Sequence, residues 1–232
     1  MFAEPNFGRA YLNTILYTFA GTFTVLFLNS MTAYPLAVPG FCLKKFATVY
    51  LMITMFIGGG MIPLYLLIRS LGMINTIWAL IIPGAVGCYD VILFRTFFTS
   101  NAMSLREAAI IDGASEFYTY VRIVIPLSKP IFATLGLFTA VGRWNSWYEA
   151  LIYLNDERRY PVQLILRRVL FNVSTLTAKM DEFTAQMFAK MEVTPQNVQM
   201  AAVLFVVVPL LCIYPFLQKY FVKGVFVGSL KG

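Results

Sequence analysis

The chain contains no histidine, and its 232 residues include only three cysteines, Cys42, Cys88 and Cys212. Histidine is the usual general base near neutral pH and a common metal ligand, so its absence removes the most frequent forms of acid–base catalysis and zinc binding. The cysteines stand far apart without CxxC spacing, which leaves them as packing residues with no metal or redox role. No G-x-x-x-x-G-K-[ST] phosphate loop occurs. Any ATP that drives this protein is therefore bound by another chain.

Charge is also scarce: Asp, Glu, Lys and Arg make up 12% of the chain and apolar residues 59%, with a mean hydropathy of +0.73. A soluble domain carries about 25% charged residues, so this composition belongs to a membrane protein. Repeated apolar runs of about 20 residues, each able to cross ~30 Å of hydrocarbon, predict one all-α polytopic helical bundle of about five spans over residues 1–232. The net charge of +7 would suggest nucleic acid in a soluble protein. Here the basic residues cluster at the ends of apolar runs and do not interleave with aromatics, so they report topology. A secondary transporter needs midplane charges for coupling ions, and Asp90 is the single candidate. An intramembrane hydrolase lacks both histidine and paired carboxylates.

The apolar stretches fall at residues 11–34, 46–68, 76–98, 127–147 and 199–221. The first is threaded with Asn13, Thr14, Thr18, Thr22, Thr24, Asn29, Ser30 and Thr32, which serve either as helix–helix contacts or as the lining of an aqueous path. The second holds Gly58, Gly59, Gly60 and Pro63, which allow close helix approach or a local break. The third passes through Pro83 and Gly84 to Asp90 and Arg95. A charge at the bilayer centre costs about 2.5 to 3.5 kcal/mol, so both are expected in the bundle interior or near the cytoplasmic surface. Residues 149–196 form one long polar segment. In it Val162, Ile165, Leu166, Val169, Leu170 and Val173 recur at helical spacing with Arg167 and Arg168 between them, predicting an amphipathic helix at the outer interface. A second helix is expected at 177–191, and Thr194 with Pro195 would open the last span.

Between the third and fourth stretches lies a polar island, residues 104–130, SLREAAIIDGASEFYTYVRIVIPLSKP. Ser104 and Glu107 have capping-box spacing, Gly113 suits the left-handed position after a helix, and a second helical run at 115–121 should be ended by Pro126. Such short helices are marginal alone and need a partner to pack on. The order Glu107, Ala108, Ala109, Asp112, Gly113, Ala114, Tyr120, Ile123, Pro126, Pro130 resembles the EAA loop of ATP-binding-cassette importer permeases, with Ile125 standing for Leu and Tyr120 for Phe. The resemblance extends over residues 7–232 and points to the carbohydrate-uptake, maltose-type permeases with the type I importer transmembrane fold. Those permeases carry a further helix ahead of the segment that starts here near Tyr11, and an odd span count with the start outside fits its loss.

The resemblance implies a transport subunit with no catalysis and no cofactor of its own. ATP and Mg would sit on two ATPase subunits docked at Glu107, Ala108, Ala109, Asp112, Gly113 and Ala114, within a cytoplasmic coupling loop at 104–126. A second permease subunit and an extracytoplasmic binding protein delivering an oligosaccharide would complete the importer in a bacterial plasma (inner) membrane. Basic residues flanking the spans agree: Lys44, Lys45, Arg95, Arg106, Arg122, Lys129, Lys219, Lys223 and Lys231 gather on the island's side against Arg9, Arg69 and Arg143 on the other. Arg158, Arg159, Arg167, Arg168, Lys179 and Lys190 would equalise the count but compete with Asp156, Glu157, Asp181, Glu182 and Glu192, so weighting the span-flanking residues places the island in the cytoplasm and 149–196 outside. Arg143, Trp144, Asn145, Trp147 and Glu149 make a compact set of flat faces and hydrogen-bonding groups suited to a sugar path, while the tryptophans equally fit an aromatic belt. Arg143, Arg158, Arg159, Arg167 and Arg168 would favour a uronic-acid oligosaccharide, or would instead meet lipid phosphates or an acidic face of the binding protein. The basic tail, 222–232, either reaches the ATPase pair or anchors to anionic headgroups.

Overall fold

A computed structural model describes residues 7–178 together with 197, 200, 201, 203, 204, 206–208 and 211. The helix expected at 177–191, the Thr194 and Pro195 helix start, Cys212, most of the 199–221 span and the 222–232 tail lie outside the described residues. Within them the structure is helical throughout, with no strand.

The organising element is α1, Phe7–Ala37, 31 residues long. At 1.5 Å per residue it extends about 46 Å, more than the ~30 Å hydrocarbon core. Its buried stripe, Thr14, Gly21, Val25, Asn29, Ala33 and Leu36, keeps the three-to-four residue spacing of one helix face. The opposite face leaves Leu12, Phe19, Phe23 and Phe27 exposed, as lipid or a second subunit requires. α2, Lys44–Phe56, and α3, Met61–Ser70, divide the expected span at 46–68 at its glycine run, the local break of the two alternatives. They are bent by 114° at their break, where Gly60 takes φ +80°, a left-handed value that glycine adopts without steric cost.

The expected span at 76–98 is likewise divided, into α4, Trp78–Ile81, and α5, Cys88–Asn101. Pro83 removes a donor between them and Gly84 offers no side chain to hold a helix. The island forms α6, Met103–Ile111, α7, Glu116–Thr119, a π-helical turn, Tyr120–Val124, and α8, Ile125–Leu127. α9, Lys129–Trp144, then turns by 76° from the axis of Glu116–Leu127. α10, Tyr148–Tyr153, a 3₁₀ turn, Glu157–Arg159, and α11, Val162–Ala178, complete the described chain. Among the described residues α1 alone is a continuous helix long and apolar enough to cross a membrane, and the two bent pairs bring the count to three if each is one span.

α1 packs along both α5 and α9. Around its C-terminal half Tyr34, Phe94, Phe98, Tyr120, Val124 and Leu135 form one apolar cluster. Around its N-terminal end Phe7, Ala10, Leu154, Val162, Leu164 and Val206 form another. α11 buries Val162 and Ile165, half-buries Leu166 and Val169, and exposes Arg167 and Arg168, the amphipathic pattern its spacing predicts. The island and the 149–178 segment thus lie at opposite ends of one long helix.

Candidate functional site

The island's first helix starts at Met103, one residue before the expected cap, and no side chain caps it. α5 and α6 are separated by Ala102 alone, so Ser104 falls inside the helix and the Ser104–Glu107 capping box does not form. The working cap is Ser115, whose side chain accepts the Tyr118 N–H at the start of α7. At the other end of α6, Gly113 has φ +85°, its N–H bonds to the Ile110 carbonyl at 3.0 Å, and the Ala114 N–H reaches the Ala109 carbonyl at 2.9 Å. This pair of bonds is a Schellman closure, and it fixes the turn that carries Asp112 and Ala114. Glu107, Ala108, Asp112 and Gly113 are exposed and Ala109 and Ala114 half-buried. Pro126 does not end the second helical run, because Ile125 donates to the Tyr120 carbonyl five residues back. That wider turn relieves the clash a proline ring makes in a regular helix.

What holds the helix pair in place was not evident from the motif. Arg106 forms a forked ion pair with Glu116, closing α6 onto α7. The Tyr34 hydroxyl donates to the same carboxylate at 2.6 Å, and Ser30 Oγ and the Tyr120 hydroxyl lie 2.8 Å apart. The bond from Arg106 is the main cause holding the Glu116 carboxyl below its ordinary range, with Tyr34 acting in the same direction; in return Glu116 raises the Arg106 guanidinium. Opposite charges ten residues apart across a predicted turn were the one legible signal for this pair, and nothing in the sequence singles out Tyr34 or Ser30.

The candidate path residues are brought near one another but given different tasks. A polar cavity of about 420 Å³ is lined by Asp90, Thr139, Arg143, Ser146, Glu149 and Tyr153, among others. Arg143 donates to the Leu80 carbonyl and to the Gly84 carbonyl at 3.4 Å, satisfying backbone groups that the α4–α5 break frees. A Cβ on Gly21 or on Gly84 would stand 3.3 Å from the Arg143 side chain, so two glycines make room for the guanidinium. Glu149 accepts from Ser146 Oγ. Asp90 therefore faces the bundle interior, the first of the two expected places. Arg95 instead donates to Thr48 Oγ1 on α2 at 3.2 Å.

Trp144 is placed away from this cavity. It is buried, with Nε1 donating to the Val206 carbonyl at 3.3 Å and its ring 6.4 Å from Tyr11, so within this chain it packs between elements. Asn145 bonds to the Val141 carbonyl at 2.9 Å and accepts from Gln163 at 2.9 Å. The Trp147 ring carries the Arg167 guanidinium 3.3 Å above its centroid. Arg168 pairs with Glu157 at 2.6 Å, and Arg159 donates to the Asn75 carbonyl.

Of the two functions left open for the polar residues of α1, the hydrogen bonds show the first, contact between elements, at Asn13, Thr14 and Asn29. Asn13 donates to the Arg158 carbonyl at 2.8 Å, Thr14 accepts the Val162 N–H at 2.8 Å and Asn29 bonds to Ala85 and Gly87, so these are contacts. The Thr18 and Thr22 hydroxyls are buried without a hydrogen-bond partner among the described residues.

A bundle with broken helices at a polar cavity, and an exposed helix–turn–helix at one end of its long span, is a membrane transport subunit. Residues 7–227 match the family of binding-protein-dependent transport system inner membrane components, and the chain belongs to that family. Protein LplC of Bacillus subtilis is 40% identical over all of this chain and 77% of its own length. The polygalacturonan/rhamnogalacturonan transport system permease protein YtcP of the same organism is 36% identical over all of this chain and 80% of its own. A crystal structure of a bacterial ABC transporter involved in the import of the acidic polysaccharide alginate contains a chain that superposes with TM-score 0.83 at 30% identity, covering 95% of this chain and 77% of that one. The protein is an importer permease and not an enzyme, and ATP hydrolysis lies in partner subunits.

Proposed function

We propose that this chain is one of two permease subunits lining the path of an oligosaccharide, in an importer of the bacterial plasma membrane that it crosses several times. Two ATPase subunits, which hold the ATP and Mg, dock on residues 104–126, centred on Glu107, Ala108, Ala109, Asp112, Gly113 and Ala114. A binding protein approaches the 149–196 segment, and this chain carries no cofactor. The observation that carries the reading is the island itself. A polar helix pair, pinned to α1 by Arg106, Glu116 and Tyr34, presents Ile111 at 85% exposure beside exposed Leu105, Phe117 and Tyr118. Apolar side chains projecting from a fixed polar turn suit a protein partner.

The cargo is an acidic oligosaccharide, drawn in by Arg158 at the exposed outer turn and passed along the cavity wall formed by Arg143 and Glu149, with Asn145 and Trp147 neighbouring these residues in the chain. The names carried by YtcP and by the alginate importer support this choice. Arg143 gives two bonds to carbonyls and keeps further N–H donors from the five that a guanidinium carries. A neutral oligosaccharide is the second reading, favoured by the Asp90 and Glu149 carboxylates in the same cavity, which repel an anion. The test is copurification of an ATPase subunit, then ATPase stimulation of the reconstituted complex by matched acidic and neutral oligosaccharides, each with loaded binding protein. Stronger stimulation by the acidic cargo is expected. A strict preference for the neutral one establishes the second reading, and failure of any ATPase to copurify overturns both.

A further inference from the structure

Ser30 and Tyr34 hold the island, and the residue adjacent to Ser30 holds something else. Asn29 is fully buried. Its Nδ2 donates to the Val25 carbonyl at 2.7 Å and to the Ala85 carbonyl at 2.9 Å, while its Oδ1 accepts the Gly87 N–H at 2.9 Å. One carboxamide thus clamps both ends of a tripeptide inside the α4–α5 break. A side chain needs a donor and an acceptor in fixed geometry to do this, which leucine lacks altogether. Gly87 is the residue from which α5 starts, its carbonyl accepting the Val91 N–H at 3.1 Å. Three residues on, Asp90 lines the polar cavity, and Gly84, bonded by Arg143, lines it from the other side of the break.

We propose that α1 is the mechanical link between the two polar regions, with Tyr34 and Ser30 gripping the ATPase-facing helix pair and Asn29 gripping the broken segment that walls the cavity. The contacts are contiguous. A displacement of the Gly113 turn moves α7 through Arg106 and Glu116, α7 moves Tyr34, and the Tyr34 and Tyr120 rings, 5.0 Å apart, carry the π turn with them. Along α1, Tyr34 and Ser30 are one turn apart and Asn29 is next in sequence, so intrahelical hydrogen bonds join the two grips rigidly. Asn29 then draws Ala85 and Gly87, and with them the first turn of α5. A break held by side chains can change its arrangement at small cost, whereas a continuous helix resists. Such an element is suited to a two-state rearrangement. Asn29, Ser30 and Tyr34 are positioning residues for transport and touch no cargo. This inference rests on the importer reading proposed above.

The experiment uses the complete importer in proteoliposomes and reads cargo moved per ATP hydrolysed, alongside the hydrolysis rate itself. Tyr34→Phe removes one hydroxyl grip, and Asn29→Leu removes the carboxamide clamp. Each is expected to lower the transport-to-hydrolysis ratio by roughly 2- to 30-fold, the span found for substitutions along coupled networks, while hydrolysis continues. The double variant should be no worse than the poorer single one, because both cut the same link. Thr32→Val, which loses only a bond to the Leu28 carbonyl within α1, should leave the ratio unchanged. A merely structural role would reduce the amount of assembled complex and not this ratio. Should Asn29→Leu fail to assemble, Asn29→Ser, which removes the carboxamide but leaves a small polar side chain, takes its place in the cycle. An unchanged ratio in the single variants, or losses that multiply in the double one, overturns the link. A wild-type complex that fails to transport sugar would count against the importer reading instead.

Discussion

Gly113 holds its turn through backbone conformation and not through side-chain packing. A Cβ built there meets no atom within 4 Å, so any cost of substitution is a backbone cost, set by φ +85°. A left-handed conformation costs a residue with a Cβ roughly 1–2 kcal/mol, more for a β-branched one, and asparagine least. Gly113→Val should therefore open the Schellman closure and strongly reduce transport while the protein still accumulates in the membrane. Gly113→Asn should retain most activity. Uptake assays normalised to membrane-inserted protein make the comparison, and a Val variant that transports like the wild type removes the turn from the coupling site.

At the scale of elements, the 149–178 segment is fastened to α1 by hydrogen bonds from α1 side chains to its backbone as well as by apolar contact. Asn13, Thr14 and Tyr17 meet the Arg158 carbonyl, the Val162 N–H and the Arg159 carbonyl. On the far side, the Asn75 side chain accepts the Asp156 N–H at 3.2 Å from a left-handed φ of 59°. Thr14→Val keeps the shape but strands the buried Val162 N–H. A buried donor left without a partner costs about 1–3 kcal/mol. The variant should lower the melting temperature of the purified complex and leave the island's docking of ATPase intact. A melting temperature equal to the wild type would show that the N-terminus of α11 is not held by this bond.

For the whole molecule, the arrangement at the two ends of α1 dictates a sidedness. The exposed Cys42 follows the α1 end that carries the island, and Arg158 lies at the other. A membrane-impermeant thiol reagent should label native Cys42 only from the cytoplasmic face. A cysteine placed by Arg158→Cys should be labelled only from outside, and the buried Cys88 from neither. Labelling of both exposed positions from one face would refute the assignment of α1 as a span between them.

The sequence by itself determined the all-helical membrane class, the existence but not the full extent of α1, the amphipathic face of α11 and the turn at Gly113. These follow from composition, from local periodicity and from the one residue that tolerates a left-handed φ. Tertiary structure alone decided between close approach and a break at the glycine run, and showed that a second expected span is divided near Pro83, that α6 starts without a capping box and that Trp144 packs in the interior. It also decided that Glu116 joins Arg106 and Tyr34, residues 10 and 82 positions away along the chain. A hydrogen bond between distant residues leaves no period in the sequence, and a break in a membrane helix is stable only where another helix supplies its missing partners, as Asn29 and Arg143 do here.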